Sequence, residues 1–388
     1  MRVFMLVSRV PWPLEKGDKL RAYHQLLELS KQHEVHLFCL ADTRVQSEAI
    51  AHLKSITPHV TVYRLNPILI GFRLLLALFS KKPFQVHYFY QWWIARKMNS
   101  AIQSIRPDHI YCQLVRCSEY VKHFHHYAKT LDYMDALSAG QRRRLERAPW
   151  YLRPFVKEEA ERLRGYEHLI FDYFEHHTII SEQDRSLIYH PDRMAITVVP
   201  NGIDTQFFNP SPDVSKDVDL VFTGNMSYPP NVEGARRLVL EILPLVKQNY
   251  SDVNVLIAGA TPSAAVRELE CEGVVVSGWV PDIREAYSRS RIFVAPMRSG
   301  SGMQNKLLEA MAMELPCITT TLAANAIGAA HEQELFIADD NEAIAALILS
   351  LLENREVQNA VGKRARVFVA AHYQWQPSMD KLISIWKK

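Results

Sequence analysis

Cysteine is scarce in this chain: five residues in 388, at Cys39, Cys112, Cys117, Cys271 and Cys317, with no Cys-x-x-Cys pair. That argues against a disulfide framework and a structural zinc site, and it fits a reducing, cytoplasmic setting. Long apolar runs are also missing. Nothing reaches the roughly 18–20 residues of a membrane span; the nearest stretch, Ile68 to Phe79, is short and carries Arg73. The opening MRVFMLVSRVPWPLEKG breaks at Arg9, Pro11 and Pro13, so it reads as a buried first strand and not as a signal peptide. Low-complexity segments and repeats of solenoid period are absent, and no acidic residue lies between Glu48 and Asp108.

What is present points to two globular domains. A chain of 388 residues with 48% apolar content can bury two cores. The net charge of +3 hides an asymmetry: 28 Lys and Arg stand against 20 Asp and Glu in residues 1–200, leaving 17 against 22 in the rest. The acid-free stretch holds Arg64, Arg73, Lys81, Lys82, Arg96 and Lys97 among aromatics such as Phe84, Tyr88, Trp92 and Trp93. Such a mixture suits the inner-leaflet surface of a membrane or a lipid-phosphate acceptor. It equally suits a helical layer whose apolar residues face a sheet. Nucleic acid is not an expected partner, because no recognised motif accompanies the charge.

Strand-like segments at Arg2–Ser8, Val35–Leu40, Val60–Leu65, Ile110–Leu114 and Lys129–Tyr133 alternate with helical patterns, which implies a parallel sheet covered on both faces. Residues 141–176 read as a long surface helix region. After the turn cluster Pro200-Asn201-Gly202-Ile203-Asp204 the alternation restarts, with strands at Asp219–Thr223, Val253–Ala258, Val274–Ser277, Ile292–Ala295 and Cys317–Thr320. The expected α/β architecture is two Rossmann-like domains facing each other across a cleft. The first spans 1–198, completed by a C-terminal helix at 375–388, and the second spans 199–374. Ligands bind such sheets at the carboxyl ends of the strands.

The segment richest in chemistry is Ser299-Gly300-Ser301-Gly302-Met303-Gln304-Asn305-Lys306-Leu307-Leu308-Glu309. It follows a strand ending in Ala295-Pro296. A small-residue loop at a helix start gathers backbone N–H groups beside the positive end of the helix dipole, a cradle for phosphate oxygens. Lys306 adds a full charge. Glu309, three residues on, shares its helix face and can accept hydrogen bonds from a ribose diol. A plain strand–loop–helix connection is the competing reading.

Gly302, Leu308-Glu309-Ala310-Met311-Ala312 and Leu315-Pro316 resemble the signature of the large retaining glycosyltransferase family four, which has the GT-B fold. Val199-Pro200-Asn201-Gly202-Ile203-Asp204, Phe222-Thr223-Gly224-Asn225, Gly278-Trp279-Val280-Pro281-Asp282 and Tyr373-Gln374-Trp375 resemble further family segments in order and spacing, and the exopolysaccharide-associated branch is the nearest. The resemblance implies a nucleotide-sugar donor, a glycan or lipid-linked acceptor, transfer with retention, and no bound metal or other cofactor.

It also assigns positions. Glu309 would bind the donor ribose, with Ser301, Gly302, Met303, Gln304, Asn305, Gly224, Asn225 and Val280 around the donor, and Gly17 approaching the diphosphate. Lys306 and Asp135 are the candidate catalytic residues, with Arg298 as a helper to Lys306 and Asp132 or Ser138 as alternatives to Asp135; Asp135 could instead cap the following helix. Lys19 and Arg21 are candidate acceptor-side groups. The chain departs from the family pattern at Ser301, where the first glutamate of the Glu–seven residues–Glu motif belongs, at Asn225, where many members have arginine, and near Asn231, where a lysine follows in those members; the segment around Asp135 also lacks the histidine many members carry. These departures keep open a catalytically inactive relative that binds nucleotide sugar as a partner subunit, and an epimerase or hydrolase of the same fold. The histidines at 123, 125 and 126 match no usual metal spacing and read as a surface feature.

Overall fold

The structure, a computed structural model, describes residues 1–14, 16–211, 214–300 and 303–387. It divides into two units, one formed by Met1–Pro200 with Trp375–Lys388 and the other by Asn201–Gln374.

Unit 1 begins β1 (Arg2–Val7), α1 (Gly17–Ser30), β2 (Glu34–Ala41), α2 (Ser47–Lys54), β3 (Val60–Arg64) and α3 (Pro67–Ala77). It continues α4 (Phe84–Phe89), α5 (Trp92–Ile105), β4 (His109–Gln113), β5 (Ala128–Asp132), α6 (Leu137–Arg147), α7 (Arg153–Phe171), β6 (His176–Ile179), α8 (Glu182–Leu187) and β7 (Thr197–Val198). The strands form one parallel sheet in the order β3-β2-β1-β4-β5-β6-β7. Because side chains alternate along a strand, β1 serves two cores at once. Phe4 and Leu6 pack with Ile94, Met98 and Ile102 of α5 and Leu163 and Ile170 of α7. Val3, Met5 and Val7 pack with Ala22, Leu26 and Leu29 of α1 and with the C-terminal helix. That helix supplies Trp375, Met379, Leu382 and Trp386 to the same cluster, and the Trp386 indole donates to Thr130 Oγ1 at 2.8 Å.

The region expected as one long helix is two. Pro149 has no N–H to continue α6 and forces the residue before it out of helical geometry. Ala148 accordingly sits at φ −66°, ψ 140°. The helix restarts at Arg153 with Pro154 in its first turn, where a missing N–H costs nothing.

Unit 2 runs β8 (Val218–Thr223), α9 (Pro229–Arg237), α10 (Leu243–Lys247), β9 (Val255–Ala258), α11 (Ala264–Arg267), β10 (Val274–Gly278), α12 (Ile283–Ser288), β11 (Ser290–Ala295) and α13 (Asn305–Ala312). It ends β12 (Cys317–Thr319), α14 (Thr321–Ile327), β13 (Phe336–Ile337), α15 (Asn341–Glu353) and α16 (Arg355–His372), and the final helix α17 (Trp375–Trp386) belongs to unit 1. Its sheet is also parallel, ordered β10-β9-β8-β11-β12-β13. Both sheets reverse strand order beside their first strand, at β1/β4 and at β8/β11. Such a switch point leaves a crevice at the carboxyl ends, where loops diverge. The loop from β11 to α13 starts there.

Candidate functional site

The β8/β11 switch point gathers most of the donor-side residues expected in unit 2. The glycines shape it. Gly224 has φ 148°, and a Cβ there would come within 2.6 Å of Asn231 Nδ2. Gly259 has φ 139°, and a Cβ would lie 1.9 Å from the Gly224 carbonyl oxygen. Only glycine accepts both the conformation and the approach. The carboxyl-end loops are then tied together: Gly224 N–H donates to the Ala258 carbonyl and Gly259 N–H to the Gly278 carbonyl, both at 3.0 Å.

Lys306 lies in the first turn of α13 and is 7% exposed. A solvated helix lysine is therefore ruled out. Its ammonium donates to Asn231 Oδ1 and stands 4.9 Å from the centre of the Phe222 ring. Asn231 Nδ2 donates back to the Asn225 carbonyl at 2.9 Å. Asn225 Oδ1 in turn accepts from Ser227 N–H, Ser227 Oγ and Thr261 Oγ1 at 2.7 to 3.0 Å. Asn225 thus shapes the loop that holds the lysine's partner. Burial among neutral groups pushes the Lys306 ammonium down to about 7, against a weaker pull upward from Glu309.

Glu309 is half-buried one turn further on. Tyr287 of α12 donates to its Oε2 at 2.8 Å, and the Tyr287 and Thr223 hydroxyls meet at 2.8 Å. Burial raises the Glu309 carboxyl above its usual range, offset in part by the Tyr287 hydrogen bond and by Lys306. Tyr287, Thr223 and Asn231 were not expected as supports. Tyr287 lies 22 residues from Glu309, and Asn231 lies 75 from Lys306, so local spacing carries no signal of either pairing.

Around the pair, Gly300 adopts φ 125° and Ser299 Oγ donates to Glu233 at 2.6 Å. Met303 is buried, and Gln304 precedes α13 without capping its first amides through its side chain. Asn305 Oδ1 accepts from the buried Asn201 at 3.0 Å, which ties the 200–204 turn to α13. Ser301 and Gly302 lie outside the described residues. Val280 is half-buried after β10, beside the exposed Trp279. Arg298 does not turn to Lys306's neighbourhood as a helper: its guanidinium forks onto Glu241 at 2.7 and 3.0 Å.

In unit 1 the expectations fare differently. Arg21 is fully buried and paired with Asp132, Nε to Oδ2 at 2.7 Å and Nη2 to Oδ1 at 3.1 Å. Tyr111, Thr178 and Gln25 also donate to Asp132, and Arg21 donates to the Val199 carbonyl at 2.9 Å. Arg21 is thus a core ion pair and not an acceptor-side contact, and Asp132 is its counter-ion and not a surface carboxylate. Burial opposes both charges, but their mutual attraction wins and leaves Asp132 below and Arg21 above their ordinary values.

Asp135 is half-buried beyond β5, and Ala136 stands at the N-cap position of α6. Ser138 instead donates through N–H and Oγ to the buried Glu167, at 3.1 and 2.5 Å. Gly17 opens α1 exposed, and Lys19 is half-buried beside it. Asp18, which was not expected, receives both Arg9 and Arg116, the latter at 3.2 Å. Burial raises the Asp18 carboxyl, but the two guanidiniums more than offset it.

Histidines 123, 125 and 126 are exposed. Among the described residues one group has metal-ligand proximity, Glu34, His36 and His59 at the amino end of sheet 1. Its two imidazoles stack at 14°, so their lone pairs run side by side and do not converge on one ion.

Residues 217–354 match the family model described as glycosyl transferases group 1. Two curated proteins are similar over part of the chain. An uncharacterized 44.6 kDa protein in the cps region of Klebsiella pneumoniae is 24% identical over 164 residues, 40% of this chain and 42% of that one. A phosphatidyl-myo-inositol mannosyltransferase of Propionibacterium freudenreichii is 28% identical over 151 residues, 37% of each. The chain thus matches about two fifths of these relatives' length.

Solved structures resemble the whole chain. Sucrose-phosphate synthase from Thermosynechococcus elongatus has a TM-score of 0.72 at 16% identity, covering 100% of this chain and 98% of that one. Anabaena HepE in complex with UDP and glucose has 0.71 at 12%, covering all of both chains. At such identity the likeness shows the fold: α/β, two Rossmann-like sheets, the GT-B class.

Proposed function

We propose that this protein transfers a sugar from a nucleotide-sugar donor to a glycan or lipid-linked acceptor, with retention at the anomeric carbon, in the assembly of a cell-surface polysaccharide. The observation that carries the reading is the Lys306–Glu309 pair on α13, a cation and an acid one turn apart at a switch point, both held by neutral partners. The donor diphosphate would lie against the start of α13, where the helix dipole and first-turn amides that the Gln304 side chain does not cap favour an anion. Its arrival supplies the negative charge that the Lys306 pocket lacks, so the ammonium is stabilised as the diphosphate leaves. With Tyr287 holding one Glu309 oxygen, the carboxylate is oriented to accept from a ribose diol. No side chain of the site is an evident covalent nucleophile, so charge stabilisation of the leaving group is the main catalytic contribution in this reading.

On the acceptor side, Arg9 and Arg116 around Asp18 replace Arg21 as the candidate contacts, with Lys19 and Asp135. Asn225 and Ser301, where the family pattern has charged residues, favour a second reading: a nucleotide-sugar binder without transferase activity. Incubation with a panel of nucleotide sugars separates these two readings from each other and from hydrolysis. Nucleotide release that requires an acceptor supports transfer, release without acceptor supports hydrolysis, and binding without release supports the inactive relative.

A further inference from the structure

The acid-free stretch of unit 1 divides into two kinds of helix. In α5 the apolar residues Ile94, Met98 and Ile102 are fully buried against the sheet. In α3 only Ala77 is fully buried. Ile68 and Phe79 are 82% and 91% exposed, and Phe72 and Leu75 between them are exposed as well. Ile68, Phe72 and Leu75, four and three residues apart, lie along one stripe of α3, and Phe79 follows in the turn just past its end. A Cβ built on Gly71 meets nothing within 4 Å among the described residues, so the helix has open space at that position.

A second exposed group lies on α7, which is tied to the end of α3. Arg162 of α7 donates to the Ala77 carbonyl at 2.6 Å, and Glu159 accepts from Phe84 N–H at 2.6 Å. Phe155 lies on that same face of α7, two turns nearer its start, hence about 10 Å from the end of α3 along the helix. Phe155 is exposed, and Trp150 just ahead of α7 is 81% exposed. Arg64 and Lys81 are exposed at the ends of α3, Lys82 beside them is paired with Glu119 at 2.8 Å, and no acidic residue occurs between Glu48 and Asp108.

From this we infer that unit 1 docks on an anionic lipid bilayer through the outer stripe of α3 and the aromatic start of α7. The occupant follows from three features together. An eleven-residue helix is too short to span the hydrocarbon core, but it can lie in the interface with its apolar stripe below headgroup level. Exposed Phe and Trp are the side chains that settle at that level, and flanking lysines meet lipid phosphates. Apolar side chains aligned on a water-facing surface mark an interaction site, and the cations at the ends of α3, in a stretch without acids, favour an anionic partner at that helix. The inference goes beyond the proposed reaction, since lipid binding needs no donor and is read without turnover.

The test is co-sedimentation of the full chain with vesicles of phosphatidylcholine alone and with phosphatidylglycerol added. Binding is expected to the anionic vesicles and to weaken with salt. The double change Phe72→Glu with Phe79→Glu should lower partitioning by about tenfold or more, as two apolar anchors are lost. Lys81→Glu should lower it by roughly fivefold, the factor for one basic group near the surface. These side chains are exposed, so the circular dichroism spectrum and melting temperature should match the parent's. Absence of binding to anionic vesicles overturns the inference, as does equal binding by parent and double variant. A stable dimer that the double variant dissolves overturns it too, by giving the stripe to a second copy of the chain.

Discussion

Two buried charge centres, one in each unit, are built on opposite plans. Arg21 and Asp132 are both 0% exposed, meet through two hydrogen bonds, and are ringed by further polar partners. Each charge there is compensated within the chain. Lys306 and Glu309 are held by an asparagine, a phenylalanine ring and a tyrosine, none of them charged. The first centre is complete and leaves both groups more firmly ionised; the second is incomplete and draws both toward neutrality. A completed pair has nothing left to offer a ligand, whereas an under-compensated one gains when an anion arrives. Burial and charge alone do not mark a binding site; the balance of partners does.

The contrast is broken most decisively through Arg21. Arg21→Met strands Asp132 in the core, and removing one partner of a buried pair costs about 3–5 kcal/mol. For a unit of this size the melting temperature should fall by roughly 10 °C, with nucleotide affinity unchanged at temperatures where the protein remains folded. Lost affinity with an unchanged melting temperature would place Arg21 in the site after all. Glu309→Ala is the reverse case. It should weaken nucleoside diphosphate binding by about 10–100-fold, the range for a hydrogen bond to a charged group, and leave the melting temperature close to the parent's. Unchanged affinity in a calorimetric titration would remove the ribose contact from the reading.

Those two positions also show what could be read before the fold. Strands such as β8, an apolar run ending at Gly224, are visible because a buried parallel strand has no polar face to interrupt it. The helix-start position of Lys306 and Glu309 was equally visible, since loop, lysine and acid are contiguous. Arg21 looked like an available cation because its counter-ion lies 111 residues away; only strand order brings α1 to the end of β5. Tyr287 and Asn231 are hidden for the same reason. Pro149 did carry the signal that splits the 141–176 region, but the charged residues on either side of it suggested one continuous helix.

Lys306 allows the contrast to be sharpened by pH. Its ammonium is pushed down to about 7 in the folded protein from an ordinary 10.5. Between those values the unfolded chain holds a proton that the folded one lacks, so stability rises with pH across that window. A diphosphate prefers the charged form, so nucleotide affinity should run the other way. It should fall by about tenfold per unit once pH exceeds the folded value, as binding must take up a proton. Titrations at several pH values check this, and Lys306→Met should flatten the profile. A parent whose affinity is level through the same window would mean that Lys306 does not meet the phosphates.

The smallest effect is expected at Tyr287, and it tests whether the supports matter as much as the ionisable pair. Tyr287→Phe keeps the ring packed and removes one hydroxyl, which ends the hydrogen bond to Glu309 and the contact with Thr223. One such bond is worth about 0.5–1.5 kcal/mol, so affinity should drop by roughly fivefold. The pH profile gives a clearer sign. Burial already raises the Glu309 carboxyl, and the Tyr287 hydrogen bond is the first of the two influences that pull it back. Without it the carboxyl must rise further, and the low-pH limb of nucleotide affinity, where Glu309 takes its proton, must move to higher pH. The high-pH limb, set by Lys306, should stay in place. A shift of both limbs together would mean that the two groups titrate as one coupled unit, and the incomplete centre would then need to be described as a single site and not as a lysine and an acid with separate supports.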